Sequence, residues 1–78
     1  MQQLILYTTE GCHLCDEAED LLKQLESVKE YELQLVDISF SGELMTIYGI
    51  RIPVVRRTDN GNELGWPFDR ASLLAFVT

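Results

Sequence analysis

The segment LYTTEGCHLCDEAEDLL, Leu6 to Leu22, decides the fold. A β-rich run, QLILYT (Gln3 to Thr8), leads into a glycine and a Cys-x-x-Cys pair, and a helical pattern follows directly. From His13 onward the apolar positions are Leu14, Ala18, Leu21, Leu22, Leu25 and Val28. That is the 3.6-residue spacing of an amphipathic helix, with Glu17, Asp20, Lys23 and Gln24 outward. Asp16, Glu17, Glu19 and Asp20 crowd its first turns, where the helix dipole favours anions. Cys12 therefore stands where strand gives way to helix, with Cys15 one helical turn further on.

Downstream, YELQLVD (Tyr31 to Asp37) alternates and then runs apolar, as a second strand does. SGELMTIYG (Ser41 to Gly49) has the form of a short helix, with Ser41 as its cap and Gly49 as its stop. IPVVRRT (Ile52 to Thr58) is a third strand opened by Pro53, and within it Arg56 and Arg57 alternate, so at least one faces solvent. Asp59, Asn60 and Gly61 signal a hairpin of the primed-turn kind, since Asn-Gly suits positive φ. NELG (Asn62 to Gly65) returns antiparallel, WPF is a loop, and Asp69 caps a last helix, Arg70 to Val77, with Leu73, Leu74, Phe76 and Val77 inward. The order is β-α-β-α-β-β-α. A right-handed crossover makes the first two strands parallel. The expected fold is α/β, a mixed four-stranded sheet with helices on both faces, in a single domain spanning residues 1–78.

Several roles for Cys12 and Cys15 compete. A structural staple is disfavoured because a bridge across two residues closes a very short loop and restrains the unfolded chain little. A metal site needs four ligands. This chain has two cysteines and one histidine, His13, wedged between them, so two chains would have to share a four-cysteine site. Thiol–disulfide exchange suits the position best. Unsatisfied N–H groups and the dipole at a helix start stabilise a thiolate, and one turn of separation puts the sulfurs within bridging reach. Cys12 is then the attacking thiol and Cys15 the resolving one. A protonated His13 would favour the thiolate further, while Glu10, Asp16 and Glu17 oppose it. The exchange needs no metal and no organic cofactor, only an external thiol donor.

The chain is 78 residues long, with 46% hydrophobic residues and a net charge of −7. It is long enough for one small core. The acidic balance argues against nucleic acid and against anionic membranes as partners. MQQLILYTTEGC has neither the basic start nor the apolar run of an export signal, so the expected address is the cytoplasm and the expected state a monomer.

The strand, GCHLC and helix, followed by IP at the third strand, resemble the thioredoxin superfamily. Among its members the pattern YTTEGCHLCDEA … YGIRIPVV … ELGWPFD is similar to small bacterial glutaredoxin-like proteins over nearly the whole chain. The resemblance implies a thiol–disulfide oxidoreductase acting in cell redox homeostasis. It implies that Pro53 is a cis-proline opposite the cysteines, with the Ile52 backbone pairing with an extended substrate segment. It also carries substrate contacts over to Gly65 and Asp69; beside them Arg51, as a holder of a substrate carboxylate, and Trp66, as a lid over the cysteines or a docking aromatic, are further candidates. Three departures bear on the reductant. His-Leu replaces the usual Pro-Tyr between the cysteines, Arg51-Ile52 replaces Thr-Val, and Trp66 stands where a second glycine would approach glutathione. They favour a dithiol or a thioredoxin-reductase-type system over glutathione as reductant. A non-catalytic binding module using the Trp66–Pro53 surface, and a metal or iron–sulfur carrier, remain the alternatives.

Overall fold

The computed structural model describes residues 2–78. β1 (Gln2–Thr8) lies inside a four-stranded sheet of order β2-β1-β3-β4. β2 (Tyr31–Asp37) pairs parallel with it, and β3 (Val54–Arg57) pairs antiparallel on its other side. β4 (Glu63–Gly65) adds an antiparallel edge on β3. α1 (His13–Leu25) is the crossover between the parallel strands, and α3 (Arg70–Val77) closes the chain. α2 (Gly42–Tyr48) packs on the opposite face. The architecture is the expected one, with the helices divided between the two faces. Among the described residues no helix is long and apolar enough to cross a membrane.

Strand alternation divides the core in two. Leu4, Leu6 and Val55 point to the α1 and α3 side and meet Ala18, Leu22, Leu25, Leu73 and Val77. Tyr7 and Val54 point the other way and meet Ile38 and Tyr48, with Ile5, Val36, Leu44 and Ile52 at the margin. The hydroxyl of Tyr31 donates to the Leu22 carbonyl, which ties β2 to α1. Burial, and secondarily the charge of Glu26, push that phenol up to about 12.

Several expectations need correction. Leu14 is 47% exposed, because Cys15 takes the inward place in the first turn of α1. Val28 lies beyond the helix end and is exposed, the chain having turned as its N–H donates to Leu25. β3 begins at Val54 and ends at Arg57, shorter than Ile52 to Thr58. Pro53 has no N–H for a ladder, and the Ile52 N–H turns back to the Tyr48 carbonyl at 3.1 Å. The hairpin is not a two-residue primed turn. Only Gly61 takes a positive φ, 75°, and the loop closes through Gly61 N–H to Arg57 O and Arg57 N–H to Asn62 O. Gly49 ends α2 with φ −51°, still right-handed, so the stop comes instead from Arg51 and Ile52 both donating to Tyr48.

One element was not expected, and the expectation that Arg56 or Arg57 faces solvent needs correction too. A 3-10 turn (Ile38–Phe40) follows β2, capped by Asp37, whose carboxylate accepts the Ser39 N–H. Neither Arg56 nor Arg57 is a freely solvated side chain; both are half-buried. Arg57 pairs with Asp59 at 2.8 Å and donates to the Phe76 carbonyl at 2.8 Å, where the open carbonyls of the α3 C-terminus need donors.

Candidate functional site

Cys12 is the N-cap of α1, with extended backbone (φ −90°, ψ 104°), and its sulfur accepts the Cys15 N–H at 3.2 Å. The Asp16 N–H donates to the Cys12 carbonyl at 3.1 Å. The first turn thus closes around Cys12, and one of the otherwise orphaned N–H groups points at its sulfur. Cys12 and Cys15 are joined as a disulfide, with their Cα atoms 5.2 Å apart. The two cysteines are unequal in exposure. Cys15 is 1% exposed, whereas Cys12 is only half-buried. His13 is exposed at the first position of the helix.

Gly11 delivers the chain to this position with φ 81°, a region that costs a side-chain-bearing residue about 1–2 kcal/mol. Nothing lies within 4 Å of a Cβ added there, so the penalty of Gly11→Ala is backbone strain alone. The expected result is a loss of about 1–2 kcal/mol in urea unfolding. An unchanged midpoint would mean that the positive φ is not needed. Thr9 steadies the same loop by donating its hydroxyl to Asp37 at 3.1 Å. The Ser39 N–H, and then Thr9, hold the Asp37 carboxyl below its ordinary value. This contact was missed; Asp-Ile-Ser at the end of β2 is the capping pattern that could have signalled it.

Pro53 is buried and precedes Val54, which pairs with Tyr7. That register puts Pro53 at the sheet end where β1 finishes and the Thr9–Gly11 loop leads to Cys12. The Ile52–Pro53 and Trp66–Pro67 bonds are both cis. The Trp66 N–H donates to the Pro53 carbonyl at 3.1 Å, and Gly65 pairs with Val54. Pro53, Gly65 and Trp66 are therefore one locality. The Trp66 ring is half-buried against the α1–α3 core and meets Phe68 edge-on, with centroids 5.0 Å apart.

Two of the anticipated contact residues are engaged inside the protein. Asp69 caps α3; its carboxylate accepts the Ser72 N–H at 2.8 Å, which holds its carboxyl below the ordinary value. Arg51 donates to Glu63 at 2.8 Å, and its guanidinium lies 5.1 Å from the centroid of the Tyr48 ring. Tyr48 also donates to Glu63, at 2.5 Å, and stacks on Tyr7 with centroids 4.1 Å apart. The Tyr48 hydroxyl, followed by Arg51, keeps the Glu63 carboxyl below its usual range. This cluster links β1, α2, β4 and the Ile52–Pro53 segment. No spacing rule marks it, because its members meet only through the sheet.

No curated protein matches the chain. Among solved structures, the X-ray structure of a structural-genomics target, protein XcR50 from X. campestris, is 40% identical with a TM-score of 0.82, covering 94% of this chain and 92% of that one. Its solution structure gives 39% identity and a TM-score of 0.76, over 97% and 91% of the two chains. Protein Ne2328 from Nitrosomonas europaea, solved by NMR, is 29% identical with a TM-score of 0.85, covering 99% and 92%. The family of the glutaredoxin-like domain (DUF836) matches residues 3–78. With the cysteine pair at the start of α1 and the four-stranded sheet behind it, the chain belongs to the glutaredoxin-like (DUF836) family of the thioredoxin superfamily.

Proposed function

We propose that the protein is a cytoplasmic thiol–disulfide oxidoreductase whose working groups are Cys12 and Cys15. The observation that carries this reading is the inequality of the pair: a half-buried N-cap sulfur facing an amide donor, bonded to a fully buried partner. In the reduced protein the Cys15 N–H and the α1 dipole favour the Cys12 thiolate. That thiolate attacks one sulfur of a substrate disulfide, and the other sulfur leaves as a thiolate that takes a proton from water. Cys15 then loses its proton and attacks the Cys12 sulfur. The mixed disulfide breaks, the second substrate thiol departs, and Cys12–Cys15 is formed; two electrons have passed to the substrate. An external dithiol or reductase then reduces the Cys12–Cys15 disulfide by the same exchange and is itself oxidised, which restores both thiols. The buried sulfur is out of reach of an outside disulfide but adjacent to the mixed one, which suits it to resolving.

The Ile52–Pro53 segment is the docking edge in this reading. The Ile52 N–H is held by Tyr48, so the group it offers an extended substrate is its carbonyl. Arg51 acts there through Glu63 and Tyr48, as a support for the segment. The acidic surface makes nucleic acid and anionic membranes poor partners.

The test is a redox titration. The protein is equilibrated in dithiothreitol buffers, quenched by alkylation, and its free thiols are counted by mass. A reversible two-electron couple between about −270 and −120 mV is expected, the range of dithiol oxidoreductases. A couple below about −300 mV would mark an inert bridge and favour a binding module.

A further inference from the structure

Charge is unevenly distributed around the cysteine pair. The first 22 residues contain no lysine or arginine, and between Glu10 and Asp20 there are five carboxylates. Glu10, Asp16, Glu17 and Asp20 are exposed; Glu19 is paired with Lys23. Asp37 adds a further carboxylate at the same sheet end, through its bond to Thr9.

The cations are mostly spent or distant. Arg51, next to Ile52, is committed to Glu63. Arg57 is paired with Asp59 and sits opposite Leu4, further along the sheet, while Arg56, opposite Ile5, has its guanidinium within reach of the Tyr7 hydroxyl and Glu63. Arg70, exposed at the start of α3, adjoins the carboxylate of Asp69. A substrate approaching Cys12 meets a negative field.

Two apolar side chains close in sequence to these groups are not used by the core. Leu14, between the cysteines, is 47% exposed, and Ile50, two residues before Ile52, is 101% exposed. Both flank the groups that the exchange reaction uses, one beside Cys12 and one beside the docking edge. A disulfide as small and anionic as that of glutathione would be repelled by the carboxylates and would leave both apolar side chains open to water.

We infer that the substrate of the Cys12–Cys15 couple is a cationic polypeptide disulfide, docked through an apolar side chain near its own cysteine. This rests on the oxidoreductase reading above. The chemistry is the same two-step exchange: the Cys12 thiolate bonds to one sulfur of the polypeptide disulfide, the other sulfur leaves as a thiol, and Cys15 closes the internal disulfide and releases the second thiol. The carboxylates act before any bond changes, by raising the local concentration of positive substrates. Such steering is worth about 10- to 1000-fold in association rate at low salt and fades as the Debye length shrinks.

The experiment uses the full reduced chain and four disulfides: the neutral bis(2-hydroxyethyl) disulfide, glutathione disulfide, and two peptide disulfides alike except for Lys-Leu or Glu-Leu beside the cysteine. Rates are followed by stopped flow and normalised to the neutral disulfide. The Lys peptide should react about 10-fold or more faster than the Glu peptide at low salt, with the ratio approaching unity near 1 M salt. Asp16→Asn with Glu17→Gln should cut that ratio severalfold, and Ile50→Ser should slow both peptides alike. Equal rates for the two peptides at low salt, a preference that survives high salt, or glutathione disulfide as the fastest probe would overturn the proposal. Failure to reduce even the neutral disulfide would instead sink the oxidoreductase reading, and this inference with it.

Discussion

On the proposed oxidoreductase function, Cys12→Ser is expected to bring disulfide reduction down to the uncatalysed background while leaving the fold intact. Cys12 carries both the accessible sulfur and the N-cap of α1, and the two roles separate in this variant. A hydroxyl is among the preferred N-caps and can accept the Cys15 N–H as the sulfur does, so the helix start is retained. The nucleophile is lost, because a serine hydroxyl with no adjacent base does not attack disulfides. Cys12→Ala would confound the result by removing the cap, at about 1 kcal/mol. Cys15→Ser supplies the complement. It keeps the first attack and loses the resolving step, so a mixed disulfide accumulates and shows as a mass increment on Cys12. The measurements are turnover with a neutral disulfide, circular dichroism for the fold, and mapping of the adduct. Turnover retained by Cys12→Ser and lost by Cys15→Ser would reverse the two roles.

Leu22→Ala is the most damaging core change expected to leave a protein that can still be measured. Leu22 is fully buried between α1 and the sheet, and its carbonyl receives both the Tyr31 hydroxyl and the Glu26 N–H. Removing three carbons from such a place loses their transfer energy and leaves a partly uncollapsed cavity, at about 2–5 kcal/mol. A domain of this length is stable by only about 4–12 kcal/mol, so a large share of the population could unfold. Leu21, one residue earlier and half-buried at the core margin, should cost clearly less on the same substitution. Urea unfolding checks both: the midpoint should fall steeply for Leu22→Ala with an unchanged slope. Equal effects at the two positions would mean that the α1 stripe is rotated from the orientation described.

Much of this molecule follows from local pattern. The 3.6-residue stripe of α1, the alternation of Tyr31 to Asp37, the caps Ser41 and Asp69, and the turn at Gly61 each depend on residues within a few positions of one another. Short-range spacing and backbone preference therefore expose them in the sequence, and the strand-to-helix junction places the cysteine pair. Tertiary structure decided the rest, because the deciding partner was far away in the chain. Leu14 has the spacing of a core residue but lost the inward place to Cys15. Arg51, a candidate substrate contact in the sequence, is paired with Glu63, which the sheet brings beside it. Asp37 became part of the Cys12 loop only because parallel pairing set it opposite Thr8, next to Thr9. Pro53 came to the cysteine end through the antiparallel register of β3 on β1. A sequence window holds the propensity of each residue; which distant carboxylate, ring or strand end meets it is set by sheet order and register, where the free energy of the whole core outweighs any local preference.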